Sequence, residues 1–292
     1  MIFVTDFDGT LFRDDLTISS VDLDTFEKLG NHGVIRVIAT GRSYHSALRV
    51  IPQNFPIDYL VFSSGAGIME WKNKEIIKIH SLNKTQIEKT VKILKENKCD
   101  FMLHDKIPDN HCFYFHKFSD SVSKTKESDF DRRCSAYSRY GKKLTDEAIR
   151  ELEEACQFIV IFPYSFWKTQ TEIYEELKEK LKKTTGLHII RTTSPMDKKS
   201  LWVEIFPEGV SKALGIKTIA DLLLLDYNSV AAVGNDFNDL DMLKWAKNAF
   251  VVENAPAELK EEFITVKSNN ENGFTDAVNK CFGFETGSSN ER

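Results

Sequence analysis

The first ten residues, MIFVTDFDGT, constrain the fold of this chain more than any other stretch. An apolar run, Ile2-Phe3-Val4, stops at two aspartates one residue apart, Asp6 and Asp8, and Gly9 and Thr10 follow at once. The run reads as a short buried strand. In an open α/β sheet, ligands bind just beyond the carboxyl ends of such strands. Two carboxylates there repel each other and lose hydration unless a cation stands between them. Hard oxygen ligands favour Mg²⁺. A surface turn also uses Asp and Gly, but it does not account for the buried-type strand leading into it. An EF-hand is excluded, because its glycine falls later in the loop and a closing Glu is required.

The rhythm set by that strand continues. A helix is expected from Ser20 to Asn31, a strand from Val34 to Ala39 ending at Thr40-Gly41-Arg42, and a helix from Ser43 to Ile51. A third strand, Tyr59 to Ser63, ends at Ser64-Gly65-Ala66-Gly67. Short strands with crossover helices imply a parallel sheet. After about residue 80 the pattern changes to paired strands with interleaved helices. Helices are expected at 82–97, 145–156 and 169–184, and strands at 100–104, 112–118, 158–162, 187–193 and 201–206. The first rhythm resumes after Pro207, with a helix from Lys212, a buried strand Val230–Val233 broken by Gly234-Asn235-Asp236, and a further strand at 249–252 between helices at 239–245 and 256–263. The expectation is an α/β protein: a Rossmann-like parallel-sheet core, residues 1–80 and 206–292, with an α+β domain, residues 81–205, inserted into it. A length of 292 residues also suits two domains. The tail 283–292 is expected to be disordered, and the basic segment 123–143 to be a solvated loop.

Charge and cysteine content narrow the function classes. A net charge of −5 gives no electrostatic case for a nucleic-acid partner. No apolar stretch is long enough to span a bilayer, and the N-terminus has neither the basic region nor the cleavage site of a signal peptide. Five cysteines, odd in number and widely spaced without a C-x-x-C pair, suit reduced thiols in the cytoplasm better than a disulfide frame or a zinc site.

Four separated segments converge if the sheet is parallel, each just after a strand or at the start of a helix. Asp6-Phe7-Asp8-Gly9-Thr10 supplies carboxylates. Thr40-Gly41-Arg42 offers a hydroxyl, free backbone N–H groups and a guanidinium to a phosphate. Lys212 offers a point charge, and Gly234-Asn235-Asp236-Phe237-Asn238-Asp239 is an acidic loop. Each alone is weak evidence. Together they provide carboxylates for a metal and cations for a phosphate, which phosphoryl transfer needs.

These motifs, in this order, resemble those of haloacid dehalogenase superfamily phosphatases of the Cof type, which carry a large α/β cap. The likeness runs from DFDGT through ATGR and EIFPEGVSKALGI to GNDFNDLDML, and on to AKNAFVVENAPAELKE and SNNENGF. The inserted segment falls where that group carries its cap, between the second and third motifs. The resemblance implies that Asp6 attacks phosphorus and that Asp8 acts as general acid and then base. It implies that Thr40 and Lys212 hold the phosphoryl oxygens, that Gly41, Arg42 and Asn238 assist, and that Mg²⁺ rests on Asp6, the Asp8 backbone carbonyl and the acidic loop.

Two departures from the family pattern stand out. Asn235 occupies the place of a more usual aspartate, so that either Asp236 ligates the metal, which is the preferred expectation, or Asn235 does so through its carbonyl with Asp239 in support. Ser64 replaces a more usual asparagine. The cap is expected to set specificity, with the loop 191–198, Phe166 and Trp167 as candidates. His104, His111 and His116 are weaker ones, and their spacing follows no zinc pattern. The expected partner is a small phosphorylated metabolite, most naturally a sugar phosphate. The alternatives are a phosphomutase, which returns the phosphoryl group to the sugar, and a non-catalytic phosphate-ligand sensor.

Overall fold

The computed structural model describes residues 1–118, 128–162, 169–181, 186–194, 196 and 199–284. The chain divides into two compact units. One comprises residues 1–41, 52–77 and 212–292, and the other residues 42–51 and 78–211. The helix Tyr44–Val50 therefore belongs by its contacts to the second unit.

The first unit is built on an eight-stranded sheet. Its order is Ile264–Val266, Asn248–Val252, Val230–Gly234, Ile2–Asp6, Ile35–Ala39, Tyr59–Phe62, Gly67–Glu70 and Glu75–Ile79. The first six strands pair in parallel. The pairing turns antiparallel between Tyr59–Phe62 and Gly67–Glu70; Gly67–Glu70, Glu75–Ile79 and, at the other edge, Ile264–Val266 are strands absent from the sequence expectation. Ile2–Asp6 lies near the middle and is buried along its whole length. Its alternate residues face opposite layers. Ile2 and Val4 join Ile216, Ile219, Met242 and Leu243 on one side. On the other side Phe3 meets Phe274 edge-on, and Phe274 stacks on Phe26 at 4.3 Å, so that the helices Ser20–Asn31 and Gly273–Phe282 close that face. The register Thr5↔Ile38 and Thr5↔Val233 brings the carboxyl ends of three parallel strands level at one edge. Asp6, Thr40 and the loop after Gly234 all leave the sheet there.

The second unit holds a six-stranded sheet in the order Leu187–Thr193, Leu201–Pro207, Gln157–Phe162, Phe101–His104, Phe113–His116 and Gly141–Lys143. The pairing Thr193↔Leu201 makes the first two strands antiparallel neighbours. Helices Lys84–Glu96 and Gln170–Leu181 cover one face through Ile87, Val91, Leu94, Leu177 and Leu181. Phe130 and Trp202 belong to the core of the other face.

Two expectations are corrected here. The helix expected over 145–156 stops at Glu151, because Glu154–Ala155 pairs as a strand with Leu82–Asn83. The basic segment is not simply a loop. Within it Ser128 caps a helix, Asp129–Ala136, and Gly141–Lys143 forms a strand. Asp129 accepts a hydrogen bond from Trp202 Nε1 at 2.6 Å, and the Arg133 guanidinium lies 4.5 Å from the Trp202 ring centre. The charged residues of that helix include an inward-facing set, which composition alone hides. Residues 119–127 of this segment and 285–292 of the tail lie outside the described residues.

Candidate active site

Beyond Asp6 the chain turns sharply. Phe7 O accepts from the N–H of Leu11 and Phe12, and Gly9 takes φ +76°, a conformation that favours glycine. A Cβ on Gly9 would stand 2.6 Å from the Asn235 amide, so this position must also be small. Asn254 Nδ2 donates to Gly9 O at 2.8 Å, and Asn269 donates to Phe12 O at 3.2 Å. Asn269 N–H in turn donates to Asn254 Oδ1. These two asparagines hold the loop from behind. They sit in the VVENAP and SNNENG segments, and the resemblance of both to segments of the family is the available signal.

Lys212, the first residue of the helix Lys212–Leu222, is 0% exposed. Its Nζ donates to Asp6 Oδ1 and to Asp239 Oδ1, each at 2.6 Å. A buried ammonium is tolerated only when paired in this way. Burial pulls the Lys212 ammonium down, but Asp239 and Asp6 outweigh it and hold it above the usual lysine range. Burial pushes the Asp6 carboxyl up to about 7, with Lys212 opposing the rise and Asp239 and Asp8 adding to it. The lysine therefore stays charged, and it points one oxygen of Asp6 in a fixed direction.

Asp239 is fully buried, and both of its oxygens are engaged. Oδ1 takes Lys212, while Oδ2 accepts the N–H groups of Asn235 at 2.8 Å and Asp236 at 3.1 Å. The tuck needs a glycine, because a Cβ on Gly234 would lie 2.6 Å from the Asp239 carboxyl. One terminal atom of the Asn235 amide lies 3.1 Å from Asp6 Oδ2 and 3.2 Å from the Asp8 carbonyl oxygen; with the nitrogen turned to that place it donates to both. Among the described residues no three His, Cys, Asp or Glu side chains form a metal-holding group. With the amide oxygen turned to that place instead, a side-chain carboxylate, a backbone carbonyl and an amide oxygen come together. This is a hard-donor set suited to Mg²⁺, and the residues present fit that ion.

Thr40 is buried at the end of its strand, and Ser64 N–H donates to Thr40 O. A Cβ placed on Gly41 would lie 3.5 Å from Ser64 Oγ and 3.6 Å from Asn238 Nδ2, so these polar groups surround the Gly41 backbone. Ser63 and Ser64 are buried with φ of 49° and 51°. Each such left-handed residue costs about 1 kcal/mol or more, and strain of this kind collects at functional sites. The sequence marks Ser64 as the place of a more usual asparagine but gives no sign of Ser63 or of the strain at either residue; a Ser-Ser-Gly turn directly after a buried strand is the only hint of it. Arg42 is counted with the second unit, where its guanidinium donates to Ser46 Oγ at 3.2 Å.

The candidates in the second unit fall into two groups. Phe166, Trp167, Pro195, Asp197 and Lys198 lie outside the described residues. Arg191 donates to Thr171 on the surface. His104 is buried, with Nδ1 2.8 Å from Asn110 O, and His111 stacks on His45 at 4.3 Å.

A model of the haloacid dehalogenase-like hydrolases matches residues 3–278. A 5-amino-6-(5-phospho-D-ribitylamino)uracil phosphatase of Bacillus subtilis is 24% identical over 289 residues, covering 96% of this chain and 97% of the relative. Among solved structures, a haloalkanoate-superfamily phosphatase from Bacteroides thetaiotaomicron superposes with a TM-score of 0.73 at 20% identity, covering 97% of this chain and 94% of that one. A subclass IIB sugar phosphatase gives 0.72 at 17% identity, with 97% and 98% covered. The chain belongs to the haloacid dehalogenase-like hydrolases, and it is one of the phosphatases among them. Among the described residues no helix is long and apolar enough to cross a membrane.

Proposed function

We propose that this phosphatase is Mg²⁺-dependent, acts on small phosphorylated metabolites of the sugar or polyol class, and works through an aspartyl-phosphate. The observation that carries the reading is the buried Lys212 ammonium bridging Asp6 Oδ1 and Asp239 Oδ1. It gives a carboxylate oxygen a fixed direction at the end of a sheet strand, with a positive charge beside it.

In this reading Asp6 Oδ1 attacks phosphorus, and the bond from phosphorus to the leaving oxygen breaks. Asp8 gives its proton to that oxygen. Asp8 then takes a proton from water, the water attacks phosphorus, and phosphate leaves with Asp6 restored. Lys212, Thr40 and the Gly41 N–H hold the phosphoryl oxygens, with Asn238 and Arg42 in support. Asp6, the Asp8 carbonyl and the loop 235–239 would hold Mg²⁺, which when bound offsets the repulsion between Asp6 and the phosphate dianion. Asp6, Asp8, Asn235, Asp236 and Asp239 are thus the candidate metal residues. The substrate class is supported by two relatives, one acting on a phosphorylated ribityl compound and one a sugar phosphatase. The free thiols suit a reducing cytoplasm.

The test is phosphate release from sugar phosphates, polyol phosphates, nucleotides and p-nitrophenyl phosphate, with Mg²⁺, with EDTA, and with Asp6→Asn protein. Metal-dependent release that vanishes in the variant is expected. Full turnover by Asp6→Asn would sink the scheme. Isomerisation of the sugar phosphate only with a bisphosphate activator, and without phosphate release, would favour a mutase.

A further inference from the structure

We propose that Asn235, not Asp236, is the third cation ligand of this chain, and that its amide turns over as the cation comes and goes. Without a cation the NH₂ faces Asp6 and Asp8; with one bound, the amide oxygen faces it. The inference rests on reading the loop as a cation site and deepens that reading.

Asn235 follows directly on the strand Val230–Gly234, which runs parallel to Ile2–Asp6 with Val233 opposite Thr5. Its side chain therefore arrives beside Asp6. One terminal atom of its amide lies 3.1 Å from Asp6 Oδ2 and 3.2 Å from Asp8 O. With nitrogen at that place, both oxygens receive a hydrogen bond and the pair is neutralised in part by the positive end of the amide. Hydrogen bonding selects this orientation when no cation is present. With oxygen at that place, three oxygens face one another. Adjacent ligands of an octahedral Mg²⁺, each at about 2.1 Å, stand about 3.0 Å apart. The spacing already present is close to that, so turning the amide about its last bond changes the donor without moving the backbone. An aspartate at this position could serve only the second state, because an ionised carboxylate has no proton to donate.

The neighbouring acids are otherwise engaged. Asp239 has Lys212 on one oxygen and two backbone N–H groups on the other. Asp236 is extended, with φ −138° and ψ 173°, and it forms a capping box with Asp239 across the turn Phe237–Asp239. Successive side chains of an extended segment point to opposite sides, so the side chain that reaches Asp6 is Asn235. An amide ligand leaves the site one negative charge short of an all-carboxylate set. Such a site binds Mg²⁺ more weakly, and it repels an incoming phosphate less.

The experiment is calorimetric titration of Mg²⁺ and Mn²⁺ into wild type, Asn235→Asp, Asn235→Ala and Asp236→Ala, with melting curves of each in EDTA and in saturating Mg²⁺. Ligand charge and number tune affinity, so Asn235→Asp is expected to bind about tenfold tighter and Asn235→Ala at least about tenfold weaker, with Asp236→Ala within about threefold. Asn235→Asp should melt below wild type in EDTA and at or above it in Mg²⁺, because its carboxylate needs the cation that the amide replaces. Loss of binding in Asp236→Ala with binding kept in Asn235→Ala overturns the ligand assignment. Equal melting of Asn235→Asp and wild type in EDTA overturns the amide exchange. Asn235→Asp has nearly the shape of asparagine, so it keeps the test valid if Asn235→Ala does not fold. A wild type that binds neither ion overturns the proposal together with the cation site. Normal binding without phosphate release removes the proposed catalytic scheme and leaves the ligand assignment standing.

Discussion

At the scale of single residues, the site depends on one buried charge. Lys212 Nζ is shared by two buried carboxylates, so its removal leaves them facing each other unpaired. Lys212→Met should cost about 3–5 kcal/mol of stability and abolish turnover; urea unfolding and phosphate release check the two effects separately. A second buried titratable group lies in the other unit. Burial pushes His104 down to about 3, whereas an unfolded histidine titrates near 6.5. The unfolded chain therefore binds the extra proton between those values and the folded chain does not. Stability from this group is complete above pH 6.5 and is lost as pH falls towards 3, by up to about 1.4 kcal/mol per pH unit. His104→Gln should flatten that part of the pH dependence, measured as urea midpoints between pH 7 and pH 5. An unchanged slope would mean that other groups carry it. Asp6 and Asp8 stand out as candidates because two carboxylates one residue apart at the end of an apolar run are a local pattern. The strained pair Ser63 and Ser64 does not, because serine has no preference for positive φ that would announce it.

At the scale of elements, the turn after Val230–Gly234 decides the geometry of the acidic loop. Gly234 leaves room for the Asp239 carboxyl, which lies 2.6 Å from where a Cβ would stand. Gly234→Ala should push Asp239 away from Lys212, at about 1–3 kcal/mol, with a larger proportional loss in kcat than in substrate binding. Kinetics and melting curves together test this; a variant with wild-type kcat would show that the turn can absorb the methyl. Element boundaries were legible where periodicity and capping agree, as in Ser20–Asn31, whose Ser19 cap accepts from Asp22 N–H. They were hidden where pairing partners are distant. Glu154–Ala155 becomes a strand only because Leu82–Asn83 lies alongside it. The helix Asp129–Ala136 was concealed by its charge, since Asp129 and Arg133 turn towards Trp202 rather than to water.

At the scale of the whole molecule, two units with separate apolar cores predict two unfolding events. Every candidate cation ligand, Asp6, Asp8, Asn235, Asp236 and Asp239, belongs to the first unit. Saturating Mg²⁺, at about 100 times its Kd, should stabilise that unit by about 2.7 kcal/mol and leave the second nearly unchanged. Calorimetry with hydrogen exchange of peptides from each unit tests this, and an equal shift in both would contradict the separation.

The sequence by itself determined the fold class, the strand ends at which polar residues collect and the pair of carboxylates, Asp6 and Asp8, on which the proposed chemistry rests. Strand periodicity, turn residues and paired acids are local properties, and they survive without a partner. Only the tertiary structure decided which residue of the loop reaches Asp6. Asn235 and Asp236 are adjacent, and composition cannot rank them. The parallel register with Ile2–Asp6 brings one side chain to the carboxylate. The extended backbone turns the next one away, because neighbouring residues of an extended chain face opposite sides.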